Sequence, residues 1–224
     1  MSFARMAPVF YVLLTVLGTG AKIGQDLNRR AALFGNRRID TRAKLQVTVK
    51  VYNSAHVSPG DVVQAEERAA RIFSQARIKI IWDHVPMANE VHDHAESEAW
   101  NAADLHLRLW TRAMIGSNAF VEDTLGFRLN VEESTAIIIA DEIRNRAAIE
   151  FTNPGDLLGL VMAHELGHLL LRSAAHSAWG IMQGRLPTGL RDRRRTLLVF
   201  TPDQGNFMRG EVRRRMGILS AGKR

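Results

Sequence analysis

The hydrophobic residues alternate with polar ones along several short stretches of the chain. Apolar residues take every second position of 45–52 and of 104–110, and this spacing predicts strands with one buried face. The stretches 78–82 and 135–140 are rich in β-branched residues, and the second holds three consecutive isoleucines, as is typical of a strand buried on both faces. A further short strand is predicted at 117–121, followed by a turn.

Other stretches carry the start signals and apolar stripes of helices. Residues 58–76 open with Ser-Pro-Gly-Asp and place apolar residues on one face. Residues 156–163 form an apolar run unbroken by proline, which predicts a buried helix. Asn153 or Asp156 is its cap, and the proline between them lies in the first turn. A C-terminal helix is predicted at 201–216, where a threonine cap precedes a proline. Residues 141–149 are predicted to form a short helix or an ordered loop.

The long buried helix contains the sequence HELGH. Its two histidines, His164 and His168, are four residues apart, so both imidazoles leave the same face and can bind one Zn²⁺. Glu165 lies about 100° around the helix, where it misses the metal but reaches a metal-bound water as a general base. The alternative is a chance match in which these side chains are solvated. Unpaired charge is costly inside an apolar helix, which favours the metal site.

A catalytic zinc commonly takes three protein ligands and leaves a fourth position to water. His176 is predicted to be the third ligand, because the helix is expected to end near Arg172 and the small residues Ala174 and Ala175 allow the chain to turn back. A glycine-led turn containing Met182 follows shortly after.

These residues together resemble the metzincin clan of zinc peptidases, and more closely a set of uncharacterised exported bacterial proteins with a similar HELGHLLL…HS…GIM run. The resemblance implies one zinc ion held by three histidines, with Met182 shaping the floor of the site without binding the metal. The chain departs from the usual run HExxHxxGxxH. Leu171 stands where the glycine would be and Ala174 where the third histidine would be, so His176 lies two residues further on.

The order of the predicted elements also resembles the N-terminal subdomain of these peptidases. It implies one zincin-like domain of the α+β class over residues 45–224, with a twisted mixed sheet of about five strands, a backing helix, an active-site helix and a C-terminal helix. The strand at 117–121, before a turn at Leu125 and Gly126, would be the edge strand that lines the cleft and pairs with a substrate peptide. The alternative is a strand with no substrate role. The residues of this strand are Ser117, Asn118, Ala119, Phe120 and Val121.

The composition excludes several kinds of functional site and partner. The 224 residues include no cysteine, which excludes disulfides, a cysteine-bound zinc and a thiol nucleophile. The net charge of +7 comes from arginine-rich segments without interleaved aromatic residues, so no nucleic acid partner is expected. Solvated faces explain these segments, with weak attraction to anionic envelope surfaces as the functional alternative.

Residues 1–21 resemble an export signal. Arg5 provides a short positive start, residues 8–17 are apolar, and small residues up to Ala21 offer a cleavage site. The apolar run is shorter than the roughly 20 residues of a bilayer-spanning helix. Export to the periplasm or the medium is therefore predicted, with an uncleaved N-terminal membrane anchor as the alternative. Residues 22–44 are polar and basic and are predicted to be a linker.

The sequence therefore predicts a monomeric zinc endopeptidase that hydrolyses a peptide or protein substrate with a zinc-activated water and Glu165 as general base. The main alternative is a zincin-fold envelope binding module that no longer cleaves, and the intact glutamate argues against it. A basic surface binder with an incidental HExxH sequence is a further alternative.

Overall fold

The computed structural model describes residues 44–86, 103–116, 124–130, 134–185 and 198–217. The predicted export signal, the basic linker up to residue 43 and the predicted strand at 117–121 lie outside these ranges. They stay predictions.

A five-stranded sheet runs through the described part of the chain. Its strands are β1 (Gln46–Tyr52), β2 (Lys79–His84), β3 (Leu105–Trp110), β4 (Gly126–Asn130) and β5 (Thr135–Ile139). They lie in the order β2-β1-β3-β5-β4, with β4 antiparallel to β5 and the other four strands parallel. Every residue of β5 is buried, as the run of isoleucines predicts, and β4 forms an edge of the sheet beside it.

Strand β4 differs from the prediction. The sequence predicts a turn at Leu125 and Gly126, whereas Gly126 begins a strand that pairs with β5. The segment from Gly126 to Asn130 has only two alternating apolar residues, Phe127 and Leu129, and it starts and ends with residues that are rare in strands. Its conformation depends on hydrogen bonds to β5, which residue patterns along a single stretch do not reveal.

The described part of the chain has five helices, and three of them, at Pro59, Pro154 and Pro202, begin where the sequence places their caps. The five helices are α1 (Pro59–Gln75), α2 (Arg112–Ile115), α3 (Ala140–Ile149), α4 (Pro154–Leu171) and α5 (Pro202–Arg215). The Ser58 hydroxyl accepts the N–H of Asp61 at the start of α1. At α4, the Asn153 side chain accepts the N–H of Asp156 at 3.0 Å, so Asn153 is the cap and Asp156 lies in the first turn. The Thr201 side chain caps α5.

The core lies between one face of the sheet and the helices α1 and α4. Val49, Leu107 and Ile138 are fully buried in it. Helices α1 and α4 approach closely because Gly159 has no side chain: a Cβ there would lie 2.6 Å from the carbonyl oxygen of Ala65. Helix α4 is therefore enclosed by α1 and the sheet, which limits the directions in which its polar side chains can point.

The predicted α+β architecture is confirmed in its main features. The mixed five-stranded sheet, the backing helix α1, the central helix α4 and the C-terminal helix α5 are all present. Among the described residues, no helix combines the length and the hydropathy needed to span a bilayer.

Candidate metal centre

Helix α4 is almost entirely buried and carries the HELGH sequence in its second half. His164, Glu165 and His168 are between 5% and 9% exposed. Polar side chains at this depth need partners or a bound ion, because an unmet buried polar group costs free energy.

The chain leaves α4 through a left-handed turn. Arg172 has a φ of 50° and a ψ of 36°, and the Ser173 N–H donates to the carbonyl oxygen of His168 at 3.3 Å. Leu171, which stands where the resemblance places a glycine, is the last helical residue. An arginine in this conformation costs on the order of 1 kcal/mol relative to glycine. The helix thus ends where the sequence predicts, and the turn is made without glycine.

This turn brings the three predicted histidines together. One ligand nitrogen from each of His164, His168 and His176 lies within 4.8 Å of the others. The ring centroids are 4.6 Å apart for His164 and His168, and 5.3 Å and 5.0 Å from these two to His176. His176 comes from the loop after α4 and is exposed, whereas the other two rings are buried. The arrangement is that of a metal site with two helix ligands and one loop ligand.

The hydrogen bonds of the two buried rings fit a metal ion. Nδ1 of His164 lies 2.7 Å from the carbonyl oxygen of Ile181, and Nδ1 of His168 lies 2.8 Å from that of Ser173. A carbonyl oxygen can only accept a hydrogen bond, so the single N–H of each neutral ring is at Nδ1. The two Nε2 atoms lie 3.0 Å apart, and each then carries a lone pair and no hydrogen. A tetrahedral zinc holds ligand nitrogens roughly 3.3 Å apart, so a cation between these atoms fits.

Loss of contact with water, nearly complete for His164 and His168 and partial for His176, favours the neutral rings that bind a metal. Burial, together with the neighbouring His164, lowers the pKa of His168 to about 3. It also lowers the pKa of His164, against the opposing effect of the bond to Ile181, and that of His176. The nitrogen donors are therefore available without deprotonation at neutral pH.

Met182 packs directly against helix α4. The side chain is fully buried, and a Cβ on Gly167 would lie 2.6 Å from its sulfur and 2.8 Å from the ring of Phe200. The glycine within HELGH therefore allows this methionine to approach the helix. The role predicted for Met182, shaping the floor beneath the three histidines, stays a prediction.

The turn that carries Met182 also holds the first histidine in place. Ile181 accepts the Nδ1–H of His164 with its carbonyl oxygen and donates its own N–H to the carbonyl of Val199 at 3.0 Å. The N–H of Ser177 donates to the carbonyl of Met182 at 2.8 Å and closes the turn that directly follows His176. Hydrogen bonds from the residues around a metal ligand fix the orientation of its ring.

Glu165 is buried beside the metal centre and contacts the edge strand. A Cβ on Gly126 would lie 3.0 Å from its Cγ and 3.1 Å from its Oε1. Burial raises the pKa of this carboxyl to about 8, while the positive charge of Arg128 lowers it. A carboxyl with a pKa near neutrality can both take up and release a proton at working pH.

A cleft of about 550 Å³ opens onto these groups. It is lined by the three histidines and Glu165, by β4 and the residues before it, and by parts of α3, α4 and the loop around residue 184. The predicted substrate strand, Ser117 to Val121, lies outside the described residues. In the described part of the chain, β4 is the strand that borders the cleft.

Several contributors to the site were not predicted from the sequence. They are the carbonyls of Ser173 and Ile181, which orient the histidines, and Gly126 and Arg128 of β4. Gly184 also packs on the His176 ring, since a Cβ there would lie 3.2 Å from Nδ1. Backbone carbonyls carry no sequence signal. The two β4 residues would have required knowledge of the strand pairing.

No protein-family model matches this chain, and no curated protein sequence matches it. Solved structures with a similar arrangement include a promirolysin variant from Tannerella forsythia, at 13% identity and a TM-score of 0.47, with 87% of this chain and 90% of the other covered. They also include a zinc-dependent peptidase from Methanocorpusculum labreanum, at 12% identity and a TM-score of 0.46, with 71% of this chain and 99% of the other covered. Both likenesses are weak, so the function of this chain has to be inferred from its own site.

Proposed function

We propose that this protein is a zinc-dependent endopeptidase with His164, His168 and His176 as metal ligands and Glu165 as general base. The observation that carries the proposal is the pair of Nε2 atoms 3.0 Å apart, each on a ring whose Nδ1 lies against a carbonyl oxygen. A third imidazole nitrogen and a buried carboxyl complete the constellation.

The zinc ion, when bound, would act as a Lewis acid that polarises the scissile carbonyl and acidifies water. Glu165 takes a proton from the attacking water and later gives it to the nitrogen of the leaving amine, so the carboxyl ends the cycle as it began. Its pKa of about 8 is that of the site without the metal; a neighbouring dication lowers it and favours the basic form.

The substrate is proposed to bind in extended form along the edge of the sheet. Strand β4 pairs with β5 on one side, and its other side has no partner among the described strands. Main-chain groups along such an edge can pair with a peptide, and Gly126 brings this edge beside Glu165. The strand at 117–121 remains a second candidate for this role. Export and a monomeric state rest on the sequence alone.

The first test is the zinc content of the untagged protein, purified without chelators. About one zinc per chain is expected, retained in Glu165→Gln and strongly reduced in His176→Ala. His56→Asn serves as the matched control, because His56 is an exposed histidine away from the cleft whose φ of 52° asparagine tolerates. No zinc after dialysis against zinc salt would refute the metal site.

The second test is cleavage of a peptide mixture followed by mass spectrometry. Zinc-loaded wild type is expected to cut internal peptide bonds, and Glu165→Gln is expected to lose at least a hundredfold in rate with its zinc retained. Stoichiometric zinc without cleavage of any peptide would refute the peptidase and favour the binding module.

A further inference from the structure

Arg128 projects from the edge strand towards the catalytic groups. In the antiparallel pair, Gly126 lies opposite Ile138 and Arg128 lies opposite Ala136. Both of these β5 residues belong to the core beneath α4, and opposed residues of an antiparallel pair share a face of the sheet. Arg128 therefore lies on the face towards α4, two positions along the strand from the glycine that contacts Glu165.

The arginine lines the same cleft as the metal centre. It borders the cavity together with His164, Glu165 and His168. Its charge lies near enough to lower the pKa of both Glu165 and His168. A positive group therefore lines the cleft that holds the proposed general base and metal ligands.

The guanidinium has an unused donor. Nη1 of Arg128 is buried and has no hydrogen-bond partner among the described residues. A buried donor left unmet costs free energy, so a site that keeps one is expected to gain an acceptor when its ligand binds. Glu165 does not fill this role, since no hydrogen bond joins the two side chains within the described structure.

The other charges of the cleft favour an anionic ligand. Three arginines line it: Arg128, Arg185, and Arg146, which is 3.6 Å from Glu150. The acidic residues that line the cleft are Glu150 and the buried Glu165. With the proposed zinc added, the cleft carries a clear positive excess, which attracts acidic peptides and repels basic ones. A guanidinium also matches the two oxygens of a carboxylate in a planar, bidentate pair.

We propose that Arg128 binds a side-chain carboxylate of the substrate within two residues of the scissile bond, so that the enzyme selects acidic peptides. This proposal rests on the proposed peptidase function. Arg128 is thus a specificity-determining residue, and its effect is expected in substrate binding.

The test compares matched peptides with the zinc-loaded full chain. One series of octapeptides places a single glutamate at each position in turn, and a second series has glutamine in its place. Wild type is expected to favour the best glutamate peptide about ten- to a hundredfold in kcat/KM over its glutamine twin, mainly through KM. Arg128→Gln is expected to abolish the preference, and Arg128→Lys to retain part of it. Arg144→Gln removes an exposed arginine of α3 outside the cleft, so it controls for net charge and is expected to keep the preference.

Two kinetic outcomes would overturn the proposal. In one, wild type cuts both series equally well. In the other, Arg128→Gln lowers kcat for both series by the same factor, which would assign the arginine to the oxyanion of the reaction. Binding of the same labelled peptides to Glu165→Gln, measured by fluorescence anisotropy, decides the matter without turnover. If no peptide is cleaved, the peptidase fails, yet a glutamate preference that Arg128→Gln removes would still support the carboxylate site. Equal binding of both series would refute it.

Discussion

The buried carboxyl of Glu165 leads to a prediction about protein stability, which can be tested without a substrate. Burial raises its pKa from an ordinary 4.5 to about 8 in the metal-free protein. In the unfolded chain the pKa returns to its ordinary value. Between these two pH values the unfolded chain has released a proton that the folded chain still holds. Raising the pH therefore favours unfolding, and the stability present below pH 4.5 is lost progressively up to about pH 8.

The size of the effect follows from the width of this pH window. Each pH unit inside it changes the free energy of unfolding by about 1.4 kcal/mol. Over the whole window the loss is on the order of 5 kcal/mol, which is comparable to the total stability of many domains. In Glu165→Gln the amide does not titrate, so this loss is absent. The pKa values of His164 and His168 also affect stability, but equally in both proteins.

Urea unfolding of both proteins in EDTA at pH 5, 6, 7 and 8 would measure this difference. The stability advantage of Glu165→Gln is expected to grow by about 1 kcal/mol or more per pH unit across the series. Glu67→Gln, an exposed glutamate of α1, is the matched control and is expected to show a constant difference. If the difference in stability between Glu165→Gln and wild type does not change with pH, the raised pKa of Glu165 is refuted. Zinc is expected to shrink the advantage, since the dication favours the carboxylate.

Three further predictions concern the packing beside Met182, the packing beside Glu165 and the cap of helix α4. Gly167→Ala places a Cβ 2.6 Å from the sulfur of Met182 and is expected to cost about 1–3 kcal/mol in urea unfolding; a change below about 0.5 kcal/mol would contradict this close contact. Gly126→Ala places a Cβ 3.0 Å from Cγ of Glu165, so the rate of cleavage is expected to fall while zinc content, measured by elemental analysis, stays at one per chain. Asn153→Ala removes the cap of α4 and is expected to lower stability by about 1 kcal/mol with Asn153→Asp nearly neutral; equal losses in thermal unfolding would argue against capping.

Much of the fold and part of the site follow from short-range sequence patterns. The spacing of His164 and His168 is a property of one helix, and the Asn153 cap acts on the N–H of Asp156 three residues on. Such features are visible in any single stretch of sequence. The alternation in β1 likewise reports a strand with one buried face.

The remainder of the site depends on contacts between distant parts of the chain. The carbonyl of Ile181 orients His164 from 17 residues away, and Gly126 reaches Glu165 only because β4 pairs with β5. Any residue could supply that carbonyl, so its identity carries no information. Strand β4 was missed because its alternation covers only Phe127 and Leu129, and its pairing with β5 depends on a distant part of the chain.

The division of the ligands between a helix and a loop has a consequence for metal exchange. His164 and His168 are fixed on a buried helix, whereas His176 is exposed on the loop after α4, just before the turn that the Ser177–Met182 hydrogen bond closes. Opening this loop removes one ligand without disturbing the helix. Release of the metal is therefore expected to begin at His176, and its rate to follow the opening of the loop more closely than the unfolding of the domain. In a cell compartment poor in zinc, how long the protein retains the proposed metal would then depend on this short loop.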